Sequence, residues 1–341
     1  MKLKLLVITL LFLTTFPNHV LPQQQRNVIT NLQVPWEIAK VGNTFYITER
    51  AGFIVENSGN NVSRLKVNFK KQLSQQGEGG LLGFQLAPSS TNEGFIYYTY
   101  IDGSSIFNSV AKVERRANEW IETATLLDRI PGAVIHNGGR IKIGPDGMLY
   151  VTTGDAAQKN SAQNLNSLAG KILRMTLNGQ VPNDNPYRGS YVYSYGHRNP
   201  QGLAWNETGT KLYASEHGPI GFDEINEIVP GGNYGWPIIK GNEKRPKMIT
   251  PLFHSGSKTW APAGMFYKNG ELYVATLRGS QILAFNVEEK TVESLFSGVG
   301  RIRDIYIENK KTYIITSNKD GRGNPTPKDD RFIMIEGLVK E

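Results

Sequence analysis

A Gly or Asn turn, followed by a short strand rich in Tyr and β-branched residues, recurs along this chain and limits its fold more than any other feature. The copies run Asn43 to Thr48, Gly94 to Thr99, Gly147 to Thr152, Thr210 to Ser215, Gly270 to Ala275 and Lys311 to Thr316. They lie roughly 40 to 65 residues apart, the interval expected when each repeat is a four-stranded blade. Further strands follow several copies, at Ser109 to Glu114, Lys171 to Thr176, Gln281 to Asn286 and Phe332 to Ile335. Helical periodicity is absent through most of the chain. Six copies predict an all-β, six-bladed β-propeller, a closed ring with few exposed edges. Two β-sandwiches would not explain one pattern running the full length. With 36 Gly and 17 Pro beside 15 Tyr and 14 Phe, composition agrees with many short strands joined by turns.

No low-complexity linker divides the chain, so residues 23–341 are expected to form a single domain. Residues 1–22 read as a signal peptide: Lys2 and Lys4 precede the apolar run Leu5 to Phe16, and the sequence then turns polar. That run is short for a membrane span. Export to the periplasm or the cell exterior is expected, with membrane anchoring if the signal stays uncleaved. There is no Cys, which excludes disulfides, thiolate metal sites and lipoprotein attachment. The formal charge of +8 favours anionic ligands. No dense basic helix or nucleic-acid-binding module accompanies it, so nucleic acid is not an expected partner.

In a propeller, loops at one end converge on the axis, and distant motifs can be read as one site. His136 lies in the Gly-rich turn Val134 to Arg140, and Asp155 follows one strand later in Val151 to Asp155. A His held by a carboxylate through one ring nitrogen is a standard general base; a His in a turn can equally be structural. Arg198 and Asn199 sit in a loop stiffened by Gly196, Pro200 and Gly202. Arg301 and Arg303 stand two apart before the last blade. Alternate strand residues share a face, so both guanidinium groups are expected to point the same way, with Asp304 as a possible neutralising neighbour. With Arg198 and Arg278 they outline a pocket for a multiply charged carboxylate or phosphate. The stiff turn Gly218-Pro219, followed by Asp223 and Glu224, offers the oxygen ligands a hard cation such as Ca²⁺ takes, although the spacing is not that of an EF-hand. Glu78 is another polar group in a Gly-rich turn, GEGGLLG, which matches neither a P-loop nor a dinucleotide fingerprint.

From about Val34 to Ile335 the chain resembles the soluble, pyrroloquinoline quinone (PQQ)-dependent aldose sugar dehydrogenases of the glucose/sorbosone dehydrogenase family. The motifs are VPWEIA, TERAG, EGGLLG, HNGGRI, TTGD, GHRNPQGLAW, SEHGP with DEIN, GGNYGWP and GRIRD, in that order. The resemblance implies a six-bladed propeller with PQQ over the axis, and oxidation of an aldose at C1 to the lactone. His136 would be the base and Asp155 its orienting partner. Arg198 and Asn199 would lie against the quinone oxygens. Arg301 and Arg303 would pair with PQQ carboxylates, and Glu78 and Arg278 would make further cofactor contacts. Gly218 and Pro219 carbonyls would hold Ca²⁺, with Asp223 and Glu224 serving that ion or a second one. Several relatives carry Gln where this chain has Glu78, and Lys where it has Arg278. The chain is compact beside the glucose-specific members, which implies an open site and broad aldose tolerance; the electron acceptor is external. Two other readings stay open: a non-catalytic propeller binding a ligand or protein, and a Ca²⁺ propeller hydrolase acting on lactones, for which the axis loops are rich in Arg.

Overall fold

The structure is a computed structural model describing residues 24–339. The segment 1–22, read as an export signal, lies outside the described residues. Strands fall into antiparallel units of four. The first blade comprises Pro35–Val41, Thr44–Glu49, Phe53–Ser58 and Asn61–Asn68, and the second Leu81–Leu86, Glu93–Asp102, Ser105–Arg116 and Glu119–Pro131. The outer strands of these two blades pair in parallel over Lys66–Asn68 and Glu119–Ile121, fusing them into one eight-stranded sheet. The third blade holds Ile141–Ile143, Leu149–Thr153, Lys171–Met175 and Val192–Tyr195. The fourth holds Pro200–Trp205, Leu212–Glu216, Glu224–Ile228 and Phe253–His254, and the fifth Pro262–Lys268, Glu271–Thr276, Gln281–Asn286 and Thr291–Ser297. The sixth is built from Ile302–Glu308, Lys311–Thr316 and Phe332–Glu336, and Gln25–Ile29 from the other end of the chain completes it. That last pairing closes the ring and removes an open edge. This is a six-bladed β-propeller.

The repeat seen in sequence marks the second strand of every blade, and its alternation explains why. Side chains on a strand point to opposite faces in turn. In Thr44–Glu49, Phe45 and Ile47 face the sixth blade while Tyr46 packs towards the second, against Phe84 and Trp120. The equivalent residues Tyr97, Tyr150, Tyr213 and Tyr273 each join the core shared with the following blade. Among the described residues, six apolar clusters therefore lie between neighbouring blades and none within a single blade. Both faces of the inner strands are buried, so the second strands read as near-continuous apolar runs, whereas outer strands such as Asn61–Asn68 and Thr291–Ser297 are mostly exposed. A fully buried residue such as Trp120, 0% exposed, contributes roughly 2–3 kcal/mol through apolar burial.

The axis itself is polar and tightly drawn. Arg140 Nη1 lies 3.0 Å from both Glu37 Oε1 and Asp304 Oδ2, and its Nε donates to the Gln201 carbonyl at 2.8 Å. Asp304 Oδ2 also accepts from the Ile38 amide at 2.8 Å. Asp304 thus neutralises Arg140 rather than its sequence neighbours Arg301 and Arg303. First strands approach so closely here that a Cβ on Gly264 would sit 1.6 Å from Asp304 Oδ1. The only helix among the described residues is a 3₁₀ turn, Lys159–Gln163. No helix among them is long and apolar enough to cross a membrane.

Candidate active site

First strands begin, and second strands end, at one mouth of the ring. His136, Arg198, Asn199 and Arg301 lie in loops leading into first strands. Asp155, Gly218, Pro219 and Arg278 lie in loops just beyond second strands. Blade geometry therefore gathers residues that are far apart in sequence. A cavity of about 460 Å³ is lined by Glu78, His136, Arg198, Gly218, Pro219, Asp223, Arg278 and Arg301. A narrower cleft adjoins it, lined by Arg303, Gln201 and Trp36 and sharing Glu78, His217 and Arg322 with the larger space.

His136 Nδ1 lies 2.7 Å from Asp155 Oδ1. A carboxylate accepts only, so Nδ1 carries the proton, and in the neutral imidazole the lone pair is then on Nε2. Asp155 is fixed in turn. Its Oδ1 accepts from the Ala157 amide at 2.9 Å and its Oδ2 from Trp236 Nε1 at 2.8 Å. Arg198 is half-buried, with Nη1 donating to the His217 carbonyl at 3.2 Å and its guanidinium 5.4 Å from the Trp236 ring centre. Burial lowers its pKa, while Asp155 and Glu216 work the other way. Asn199 Oδ1 accepts from the Gly138 amide at 3.0 Å, leaving Nδ2 buried and without a partner. His217 Nε2 is likewise buried and unpartnered, and burial pulls that imidazole down to about 4, so it is neutral at neutral pH.

The two arginines before the last blade do not act as the even pair that strand alternation predicts. The strand begins at Ile302 and its register shifts between Ile302 and Asp304, so the period of two is broken there. Arg301 lines the larger cavity and is neutralised by Asp320, with Nη2 at 2.8 Å from Oδ2. Arg303 lines the inner cleft, donates from Nη1 to Gln201 Oε1 at 2.7 Å and leaves Nε unpartnered. Burial lowers its pKa to about 9. Arg278, exposed at the cavity wall, forms no ion pair among the described residues.

The candidate cation ligands divide as well. Gly218 and Pro219 carbonyls accept no hydrogen bond from the described residues. Asp223 is committed to loop packing: Oδ1 accepts from the Gly218 amide at 2.9 Å, and Oδ2 from the Trp260 and Ala261 amides and Thr259 Oγ1. Glu224 stands opposite Glu216 across two strands. Burial raises both carboxyls to about 8, and for Glu224 the charge of Glu216 adds to it. No group of three or more metal-ligating His, Asp or Glu side chains occurs among the described residues.

Sequence reasoning assigned no role to Trp236, His217, Arg50, Asp320 or Arg322. All but Trp236 line the inner cleft, and a signal for them existed. Arg50, His217, Asp320 and Arg322 follow the ends of second strands, the same position that delivers Asp155 and Arg278.

The glucose/sorbosone dehydrogenase family model matches residues 32–325. The chain belongs to that family. Among solved structures, the PQQ-bound aldose sugar dehydrogenase of Streptomyces coelicolor superposes with a TM-score of 0.85 at 34% identity, covering 92% of this chain and 98% of that one. The soluble aldose sugar dehydrogenase of Escherichia coli, in its apo form, gives 0.80 at 25% identity over 92% and 99%. Quinoprotein glucose dehydrogenase B of Acinetobacter calcoaceticus is 39% identical over 197 residues, 48% of this chain and 41% of that protein. This member is therefore a sugar dehydrogenase by family, with an all-β ring shared with its structural neighbours.

Proposed function

We propose that this chain oxidises aldoses at C1 to the lactone, using PQQ and Ca²⁺, with His136 as general base. The observation that carries this reading is the His136–Asp155 pair on one wall of a cavity whose other walls present Arg198, Arg278 and Arg301, with Arg303 in the adjoining cleft. Unpartnered buried donors at Asn199 Nδ2 and Arg303 Nε, a guanidinium without a counter-ion and two free carbonyls fit an acidic, oxygen-rich cofactor and its cation. When bound, PQQ supplies a quinone that accepts the C1 hydride, and Ca²⁺ supplies Lewis acidity.

The chain's own residues do the rest. His136 Nε2 takes the proton of the C1 hydroxyl, and Asp155 stabilises the imidazolium that results. Trp236 and the Ala157 amide hold Asp155 so that this stabilisation is in place beforehand. Arg198 and Asn199 present donors to oxygens that gain charge, in a recess where burial makes each donor count for more. Arg303 and Arg278 would balance carboxylates of the cofactor, and Arg301, already paired with Asp320, would offer it further hydrogen-bond donors. Gly218 and Pro219 carbonyls, with Glu224 beside Glu216, are the oxygens offered to a cation.

The test is reconstitution of the purified chain with PQQ and Ca²⁺, following reduction of an artificial dye with a panel of aldoses. Turnover is expected, falling about 10²-fold or more in H136Q while cofactor absorption is retained. Cofactor binding without turnover of any aldose would remove the catalytic reading and leave a ligand-binding propeller.

A further inference from the structure

Glu78 falls where the family resemblance implies a cofactor contact, yet its two oxygens are engaged elsewhere. Oε2 accepts the backbone N–H of His136 at 2.9 Å, and Oε1 lies 2.8 Å from Arg322 Nη1. The two turns that carry Glu78 and His136 are pressed together. The Glu78 amide donates to the Val134 carbonyl at 2.8 Å, and a Cβ on Gly77 would sit 2.1 Å from that same oxygen. His136 adopts a left-handed backbone with φ of 61°, which a residue bearing a side chain holds only when its surroundings impose it. Those surroundings are specific. The His136 carbonyl accepts from the Ala156 amide at 3.2 Å, and a Cβ on Gly154 would stand 1.9 Å from it. Asp155 fixes the ring, Ala156 the carbonyl and Glu78 the amide.

We propose that Glu78 is a positioning residue that sets the backbone of His136, and that Arg322, reaching across from the sixth blade, keeps the Glu78 carboxylate aimed at it. This rests on His136 being the base. Burial works against the charge on Glu78, but the His136 amide and Arg322 outweigh it and bring its pKa to about 2, so the carboxylate is ionised at working pH. A Gln at this position could offer its amide oxygen to the same N–H but could not pair with Arg322. The Arg322 contact joins residues 244 apart in sequence, so it couples the loop after the sixth blade's second strand to the turn that carries the base.

The experiment uses E78A, E78Q and R322A in the full chain. In the cofactor-free protein, long-range ¹H–¹⁵N correlations report the tautomer of each imidazole, and H136Q identifies the His136 signal by its loss. A single Nδ1–H tautomer is expected for wild type, a broadened or mixed one for E78A, and recovery in E78Q. In the loaded enzyme, kcat should fall about 10-fold or more in E78A with sugar KM within about 2-fold. R322A should give a smaller loss, and E78Q should recover most of the activity. PQQ affinity, titrated by tryptophan fluorescence, should change little in all three. A wild-type tautomer and unchanged kcat in E78A would overturn the proposal. So would a loss of PQQ affinity with the tautomer intact, which would make Glu78 a direct cofactor contact. If wild type itself shows no turnover, the proposed activity fails, and the imidazole measurement still decides whether Glu78 orders His136.

Discussion

Arg303 gives the sharpest test of the anion-holding wall, because removing it should leave the cofactor-free protein no less stable. Its side chain is buried, bonded only to Gln201 and paired directly with no carboxylate. Burial pulls its pKa far below the ordinary guanidinium range, to about 9, which corresponds to about 5 kcal/mol against the buried charge. Relaxation and water entry in real interiors reduce such penalties, to on the order of 2–3 kcal/mol here. Arg303→Met removes that cost and forfeits one hydrogen bond from a charged donor to a neutral amide, about 1.5 kcal/mol at the lower end for such bonds. The expected net is on the order of 1 kcal/mol in favour of the variant, or about 2 °C in Tm for a chain of this size. The sign with pH is fixed as well. The folded pKa lies below the unfolded one, so the penalty is complete below about 9 and fades as pH rises above 9 towards the ordinary guanidinium range. The advantage of R303M should therefore shrink above pH 9. With PQQ and Ca²⁺ present the order reverses, because wild type gains charge-assisted bonds that the variant lacks, and PQQ affinity should fall about 10- to 100-fold. Melting curves with and without cofactor measure both effects. If cofactor-free R303M melts several degrees below wild type, and cofactor shifts both proteins equally, Arg303 is a structural residue and the wall does not hold anions.

Asp155→Asn should lower kcat about 10²-fold or more, since an amide no longer fixes the His136 tautomer. Trp236→Phe, which removes a single bond to Asp155 Oδ2, should cost only about 10-fold; equal losses in the two variants would contradict this ranking of the bonds. Lys171 is buried behind the same loop, with Nζ donating to the Ser161, Ala162 and Ala169 carbonyls, and burial lowers its pKa from 10.5 to about 7. Between about pH 7 and 10.5 the folded protein has released a proton that the unfolded chain keeps. Wild type should therefore gain in stability over Lys171→Met as pH rises through that window, and a stability difference that stays flat between urea titrations at pH 6 and pH 9 would contradict it.

Much of the ring was legible because one physical constraint repeats. Each second strand is buried on both faces, so its apolar run stands out, and six such runs fix the blade number. Gln25–Ile29 escaped notice because it is an outer strand with mostly exposed residues and no such run. Its place is set by pairing with Phe332–Glu336, which no local pattern announces. In the site, the proximity of His136 and Asp155 follows from their places at the two ends of adjacent strands in one blade. Arg301 and Arg303 line adjoining spaces rather than one face, because strand alternation does not carry across a strand start and a register shift. Glu78 and Arg322 could not be joined from sequence, since their contact depends on ring closure. The commitment of Asp223 Oδ2 to three loop donors depends on the Ser255–Ala261 segment folding back over it, which its own neighbours do not encode.

The contrast between Arg140 and Arg303 supports the proposed anion site more closely than net charge does. Both guanidinium groups pack over Trp36, at 4.4 and 5.8 Å from its ring centre, and both are buried. Burial opposes the charge on Arg140, but Asp304 and Glu37 outweigh it and its pKa rises. Arg303, in the adjoining layer nearer the cavity, has Asp320 and Glu78 only at a distance, with Arg301 and Arg50 opposing them, and its pKa falls. The same residue type on the same ring is thus neutralised on the axis and left uncompensated at the mouth. A fold that carries Glu37 and Asp304 on first strands could have supplied a carboxylate to Arg303 by the same means. Leaving it unpaired is unfavourable for the cofactor-free protein, and on the proposed reading an anionic cofactor would reverse that, which is why the stability of R303M and its loss of PQQ affinity are expected to move in opposite directions.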